Sequence, residues 1–282
     1  MNVSFGSTET LELDGGQIAY DVTGEGPLVV LAHGMGENRH SYDEVAASLV
    51  ASGHRVARLD LRGHGESSLT WASHTRTDVA HDIIALIRAL GGPAIVVGHS
   101  FSGGSATIAA ALAPELVTGI VELEPFTKEQ RTDVKALFSN PRYRKGGLLL
   151  MGAAMFKSVA LWKRYLDVAV PGDKPAGFDA HIAAIEADLN RPGRMAVVAA
   201  MGLSDPADAG AKLAEIRCPA VVVMGTLDPD WPSPAAEGEA VVAAMPAGLG
   251  RLHMVEGGGH YPHVQFPAQV AAIVADLAAA HG

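Results

Sequence analysis

The chain predicts an α/β fold: a doubly wound, mostly parallel eight-stranded sheet carrying an inserted helical cap. Three observations lead there. Short continuous apolar runs recur along the chain, as expected of strands covered on both faces in a parallel sheet. Between them lie amphipathic segments with readable helix ends. The alternation breaks after Pro125 and resumes near Ala211, so residues 1–125 and 211–282 are expected to form the core and 126–210 the cap.

Taken in order, 10–13 and 17–20 alternate in polarity around Asp14-Gly15-Gly16, which predicts a β-hairpin. Apolar runs follow at 28–32, 56–59, 94–97, 119–123 and 220–224, with a weaker one at 251–255. Ser41-Tyr42-Asp43-Glu44 reads as a capping box ahead of Val45 and Leu49, with Gly53 placed to stop that helix. Thr75-Arg76-Thr77-Asp78 is a second box, followed by Val79, Ile83, Leu86, Ile87 and Leu90 on one helical face. The most apolar stretch, 146–162, is broken by Lys157 and is shorter than the roughly 20 residues a spanning helix needs. It is expected to be buried or to line a pocket.

Composition narrows the function classes. At 282 residues and 48% hydrophobic the chain can bury a large core. A formal charge of -10, with Lys and Arg never gathered into a run, supplies no general field for phosphate backbones, so nucleic acid is not an expected partner. Met1 to Thr10 hold no basic group and no continuous apolar stretch, and a cytoplasmic protein without membrane insertion, monomeric or homodimeric, is expected. The single cysteine, Cys218, excludes an intramolecular disulfide and is expected to be a buried structural thiol.

The residues that carry chemistry begin with Val96-Val97-Gly98-His99-Ser100-Phe101-Ser102-Gly103-Gly104. A serine on a tight strand-to-helix turn needs small residues two before and two after it, because the turn presses the backbone against its neighbours. Gly98 and Ser102 meet that need. A hydroxyl is a weak nucleophile without a base, and of the 12 histidines His260 stands apart, because Gly257-Gly258-Gly259 would let its loop bend back over the sheet edge. His253 and His263 are expected to be structural. A carboxylate should orient the imidazole, with Asp228, Asp230 and Glu124 all near strand ends.

These pieces resemble the α/β-hydrolase family over nearly the whole chain outside the cap. The matching motifs are His33-Gly34-Met35-Gly36, Asp60-Leu61-Arg62-Gly63-His64-Gly65-Glu66-Ser67, the serine turn, Gly225-Thr226-Leu227-Asp228 and Gly257-Gly258-Gly259-His260, in that order. Ser102 departs from the family's usual glycine. The resemblance implies Ser100 as nucleophile, His260 as base, Asp228 as acid, and the backbone N–H groups of Met35 and Phe101 as the oxyanion hole. It also implies a cofactor-free, metal-free esterase-like hydrolase acting on a small molecule. His33 and His64 are expected to support loop geometry, although His33, with Met151, Met155, Phe156, Trp162 and Trp231, is also entered as a candidate substrate contact; Met and aromatic residues at helical spacing belong more often to a core than to a pocket.

Other readings stay open on the same residues. A metal could be imagined between His260, His263, Asp228 and Asp230, but no rigid ligand spacing supports it. The glycines of 98–104 do not match a dinucleotide fingerprint. Dehalogenases and epoxide hydrolases of this architecture need a carboxylate where Ser100 stands. A lyase, cyclase or cofactor-free oxygenase using His260 as base, or a slow-turnover ligand-binding protein, is the alternative that fold alone does not exclude.

Overall fold

The computed structural model describes residues 5–128 and 133–281, so the opening of the inserted segment at 129–132 lies outside the described residues. Eight strands form one sheet in the order β1-β2-β4-β3-β5-β6-β7-β8. The first two, β1 (Glu9–Leu13) and β2 (Gly16–Thr23), pair as the expected hairpin, and β2 then runs antiparallel to β4 (Arg55–Leu59). The remaining pairs are parallel: β3 (Leu28–Ala32) lies between β4 and β5 (Ala94–His99), followed by β6 (Val117–Leu123), β7 (Ala220–Gly225) and β8 (Gly250–Val255).

The apolar runs are continuous because both faces of these strands are covered. Val30, Ala32, Val96, Ile120 and Val222 face α2 (Arg76–Ala89), α3 (Phe101–Leu112) and α10 (Pro234–Ala243). Their neighbours Val29, Leu31, Val97, Val121 and Val223 face α1 (Asp43–Ala51) and α12 (Pro267–His281). Adjacent residues of one strand thus serve two cores, as the period of 2 requires. Burying each such side chain contributes about 1.5–3 kcal/mol relative to leaving it in water.

Helix ends follow local chemistry. Thr75 and Asp78 form the reciprocal capping box expected for α2. Gly53 adopts φ 86° just past α1, where a side chain would be strained. The box read at Ser41 does not form. Asn38, three residues earlier, accepts the N–H of His40 and starts a 3-10 turn over Arg39–Tyr42, so α1 begins only at Asp43 behind an uncapped Tyr42. An asparagine that can bond the backbone two residues on competes successfully with the later serine.

Between β6 and β7 lie α4 (Val134–Ser139), α5 (Pro141–Phe156), α6 (Val159–Ala169), α7 (Phe178–Leu189), α8 (Arg194–Gly202) and α9 (Ala207–Gly210). Helices α5 to α8 share a third apolar cluster built on Trp162, Tyr165, Leu166, Phe178, Ile185 and Val198, which also takes in Tyr261 from the loop before α11 (Pro262–Gln265). The expectation that 146–162 is buried or lines a pocket holds in part. Ala153 and Trp162 are buried, Leu149 and Leu150 pack against the third cluster, and Leu148 and Leu149 line a groove, whereas Met151, Met155 and Phe156 of α5 are exposed. No helix among the described residues is long and apolar enough to cross a membrane.

Candidate active site

The loops at the carboxyl ends of β3, β5, β7 and β8 converge on one place. Ser100 follows β5 directly and holds φ 52° and ψ −111°, a conformation that costs a side-chain-bearing residue and is kept only where the surroundings impose it. Three hydrogen bonds impose it: Ser100 N–H donates to Leu123 O at 2.8 Å, and its carbonyl accepts from Gly103 N–H at 3.0 Å and Phe126 N–H at 3.2 Å. Gly98 is required by contact, since a Cβ there would run into the Ser102 carbonyl. Ser102, the departure from the family's glycine, is used: its hydroxyl donates to the His33 carbonyl at 2.6 Å and ties α3 to the loop after β3.

That loop passes close to the serine. A Cβ on Gly34 would lie 3.2 Å from Ser100 Cβ and 2.7 Å from His99 Nδ1, so only glycine lets the backbone approach. The Met35 and Phe101 amides are given to no carbonyl among the described residues, and Phe101 opens α3, where N–H groups lack helical partners. His33 and His64 hold the loop. His33 Nδ1 donates to Gly34 O at 2.7 Å and its Nε2 accepts from Leu61 N–H at 3.0 Å. His64 Nε2 accepts from Gly36 N–H at 2.9 Å. Burial pushes both imidazoles down, His64 to about 3, so both are neutral near pH 7.

His260 is buried beside two carboxylates. Its Nδ1 lies 2.8 Å from Asp228 Oδ2 and 3.5 Å from Asp230 Oδ2. Asp228 Oδ1 accepts Asp230 N–H at 2.8 Å, and Asp230 Oδ2 accepts the Tyr165 hydroxyl at 2.7 Å. Burial by itself would lower the His260 pKa, but Asp228 and then Asp230 outweigh it and raise it to about 9. Burial lifts Asp230 to about 6. Glu124 is lifted well above its ordinary value, first by burial and next by the Asp228 charge. It accepts the Gly225 N–H.

Glu124, Asp228 and His260 also present ligand atoms within 4.8 Å of one another. The protein's own bonds already occupy Asp228 there: its Oδ2 faces His260 Nδ1 and its Oδ1 accepts the Asp230 N–H. The main chain of His260 is held at both ends. Its N–H donates to Ala169 O at the end of α6 at 2.8 Å, and its carbonyl accepts His99 Nε2–H at 2.7 Å.

Of the candidate substrate contacts, Trp162 and Trp231 are buried near this place. Trp162 packs on Gly36, next to Met35, and Trp231 lies 4.8 Å from the Phe126 ring, which meets the His260 imidazole edge-on at 5.9 Å. Met151, Met155 and Phe156 stand on the exposed side of α5 and enclose nothing. His33 is fully buried with both ring nitrogens engaged, which leaves no atom to offer a substrate. Sequence reasoning did not single out Phe126 or Arg76, whose guanidinium donates to Phe126 O at 3.1 Å and lies over the Phe101 ring at 4.3 Å; no motif marks either. Cys218 is buried and free, its thiol pushed up by burial to about 11.

The chain is similar to known proteins to different depths. A 2-(acetamidomethylene)succinate hydrolase of Mesorhizobium japonicum is 34% identical over 126 residues, a match that spans 43% of this chain and less than half, 45%, of that enzyme. A thermophilic esterase from Thermogutta terrifontis superposes with a TM-score of 0.73 at 24% identity, covering 99% of this chain and 100% of that one. The enol-lactonase from Burkholderia xenovorans LB400 gives 0.75 at 18% identity, covering 96% and 100%. The sequence model of the alpha/beta hydrolase family matches residues 29–273. With that match over most of the chain, a sheet of this order and loops that bring the motifs together, the chain belongs to the α/β-hydrolase family and is an enzyme of hydrolase type.

Proposed function

We propose that the protein is a serine hydrolase that cleaves a carboxylic ester, lactone or thioester of a small-to-medium apolar substrate through an acyl-enzyme on Ser100. The observation that carries the proposal is the backbone of Ser100, held at φ 52° by three main-chain hydrogen bonds beside a loop that only Gly34 allows so near. Strain of this kind is retained where a site needs its side chain aimed. Ser100 Oγ attacks the carbonyl carbon while neutral His260 takes the hydroxyl proton. Asp228 fixes the imidazole and stabilises the imidazolium. The Met35 and Phe101 N–H groups receive the oxyanion, each such donor being worth about 3–4 kcal/mol in comparable enzymes. His260 then gives its proton to the leaving oxygen or sulfur, and water hydrolyses the acyl-enzyme with His260 again as base.

The helices at 126–210 act as the cap in this reading. Trp162 and Trp231, with Phe126 and Met35, supply the apolar walls, which favours an apolar acyl or alcohol group. The ester and lactone activities named for the structural neighbours fit that choice. The test is labelling of Ser100 by a fluorophosphonate, with a panel of chromogenic esters, lactones and thioesters run alongside. A folded protein that resists labelling overturns the proposal. Turnover that survives Ser100→Ala moves the reading to a lyase or cyclase in which His260 alone is the base.

A further inference from the structure

Helix α5 turns Gly146, Leu149, Leu150 and Ala153 inward, the two leucines packing partly buried against the third apolar cluster, and a Cβ on Gly146 would sit 2.6 Å from Pro229 Cβ in the Asp228 loop. Its outward stripe, at spacings of four, three and four, is Arg144, Leu148, Met151 and Met155, with Phe156 and Lys157 beside the last. Leu148, Met151, Met155 and Phe156 are 57%, 55%, 63% and 70% exposed. With Val134 and Phe138 of α4 they are six of the nine large hydrophobic residues left exposed among the described residues.

Charge on this segment runs against the rest of the chain. Residues 134–166 hold seven Lys and Arg and no Asp or Glu, in a protein of formal charge -10. A groove of about 700 Å³ opens there, with Lys145, Lys163 and Arg164 facing Asp167 and Glu186 across Leu148 and Leu149, and Lys163 pairs with Glu186 at 2.6 Å.

We propose that the exposed face of α5 docks on an anionic lipid surface. Large apolar side chains interleaved with cations on one helix face are what an interfacial helix presents, the apolar groups entering the acyl boundary and the cations meeting headgroups. The charge selects among occupants. A second copy of this chain seated face to face would bring one cationic segment against another. A nucleic acid would satisfy the cations but gain little from Leu148, Met151 and Met155. The inference stands on the surface of α5 and is independent of the chemistry assigned to Ser100.

Cosedimentation of the full chain with vesicles of phosphatidylglycerol, and separately of phosphatidylcholine, tests it. Binding to phosphatidylglycerol that salt weakens, with little binding to phosphatidylcholine, is expected. Each cation near the surface is worth about a fivefold change in binding, so the double variant Arg144→Glu with Lys145→Glu should bind at least about 25-fold more weakly. Leu148→Ser with Met151→Ser should lower binding about tenfold or more, while Leu203→Ser, equally exposed but outside the segment, should leave it unchanged; thermal melts confirm that each variant folds. No binding to phosphatidylglycerol at low salt, equal binding to both lipids, or indifference to the charge reversal overturns the proposal. So does self-association abolished by Leu148→Ser, which would assign the face to a second copy. Duplex DNA binding that ignores Leu148→Ser with Met151→Ser would assign it to nucleic acid.

Discussion

The loops around Ser100 and the helix α5 are built on opposite plans. Around the serine, polar side chains are buried and tied to the main chain: His33, His64, His99 and Ser102 each hold a named backbone atom, and Asp228 serves both His260 and the Asp230 amide. On α5 four large apolar groups, Leu148, Met151, Met155 and Phe156, face out, while Gly146, Ala153 and the half-buried Leu149 and Leu150 face in. The first plan gives up backbone comfort to fix atoms in place. The second leaves apolar area unburied, which a soluble fold rarely does over a contiguous face without a use for it.

The largest effect that could break this contrast is at the serine. Ser100→Ala should lower kcat on the order of a millionfold while the melting temperature stays near wild type, measured by ester hydrolysis and calorimetry. Next comes the acid. Asp228→Asn should cost on the order of 10⁴ in kcat, because the imidazole loses its orienting carboxylate, whereas Glu124→Gln should cost less than about tenfold, since Glu124 accepts the Gly225 N–H and it is Asp228 that bonds His260 Nδ1. Equal losses would make the two carboxyls a shared acid.

Stability gives the middle of the range. Trp162→Ala, which empties a buried site in the third cluster, should destabilise by about 3–5 kcal/mol in a denaturant titration. The pH profile should show a smaller effect. Only neutral His260 accepts a proton, so kcat/KM should rise with pH through about 9. Asp230→Asn removes one of the two carboxylates that hold the proton, and the limb should move to lower pH; a fixed limb would detach Asp230 from the base. The same shift works on folding with opposite consequence. The folded chain keeps the His260 proton up to about pH 9 where the unfolded chain releases it near 6.5, so stability falls as pH rises across that window. His64, held neutral down to about 3, makes stability fall as pH drops below about 6.5. The smallest effect is on α5: Leu148→Ser should change stability by no more than about 0.5 kcal/mol.

What could be read from the sequence was what is local. The strand-turn-helix around Ser100 is written in Gly98 and Ser102, and the sheet in runs whose two-sided burial leaves no alternation. Among three carboxylates Asp228 was chosen from the family resemblance alone, because Glu124, Asp228 and Asp230 all sit beyond strand ends and only folding decides which one faces His260 Nδ1. The orientation of α5 was hidden for a related reason. A helix that is apolar on most sides has no periodicity to say which side meets the protein, and the expectation of burial used hydrophobicity where packing of Gly146 on Pro229 was decisive. Ser41 was misread because two capping residues compete within one turn.

The two bonds on the His260 main chain have a kinetic meaning. One runs to Ala169 at the end of α6 and the other to His99 at the end of β5, so His260 is jointly suspended from the inserted helices and from the sheet. In the mechanism proposed above, swinging α6 away to admit a substrate would cut one suspension, so opening the cap and loosening the base are expected to be a single event.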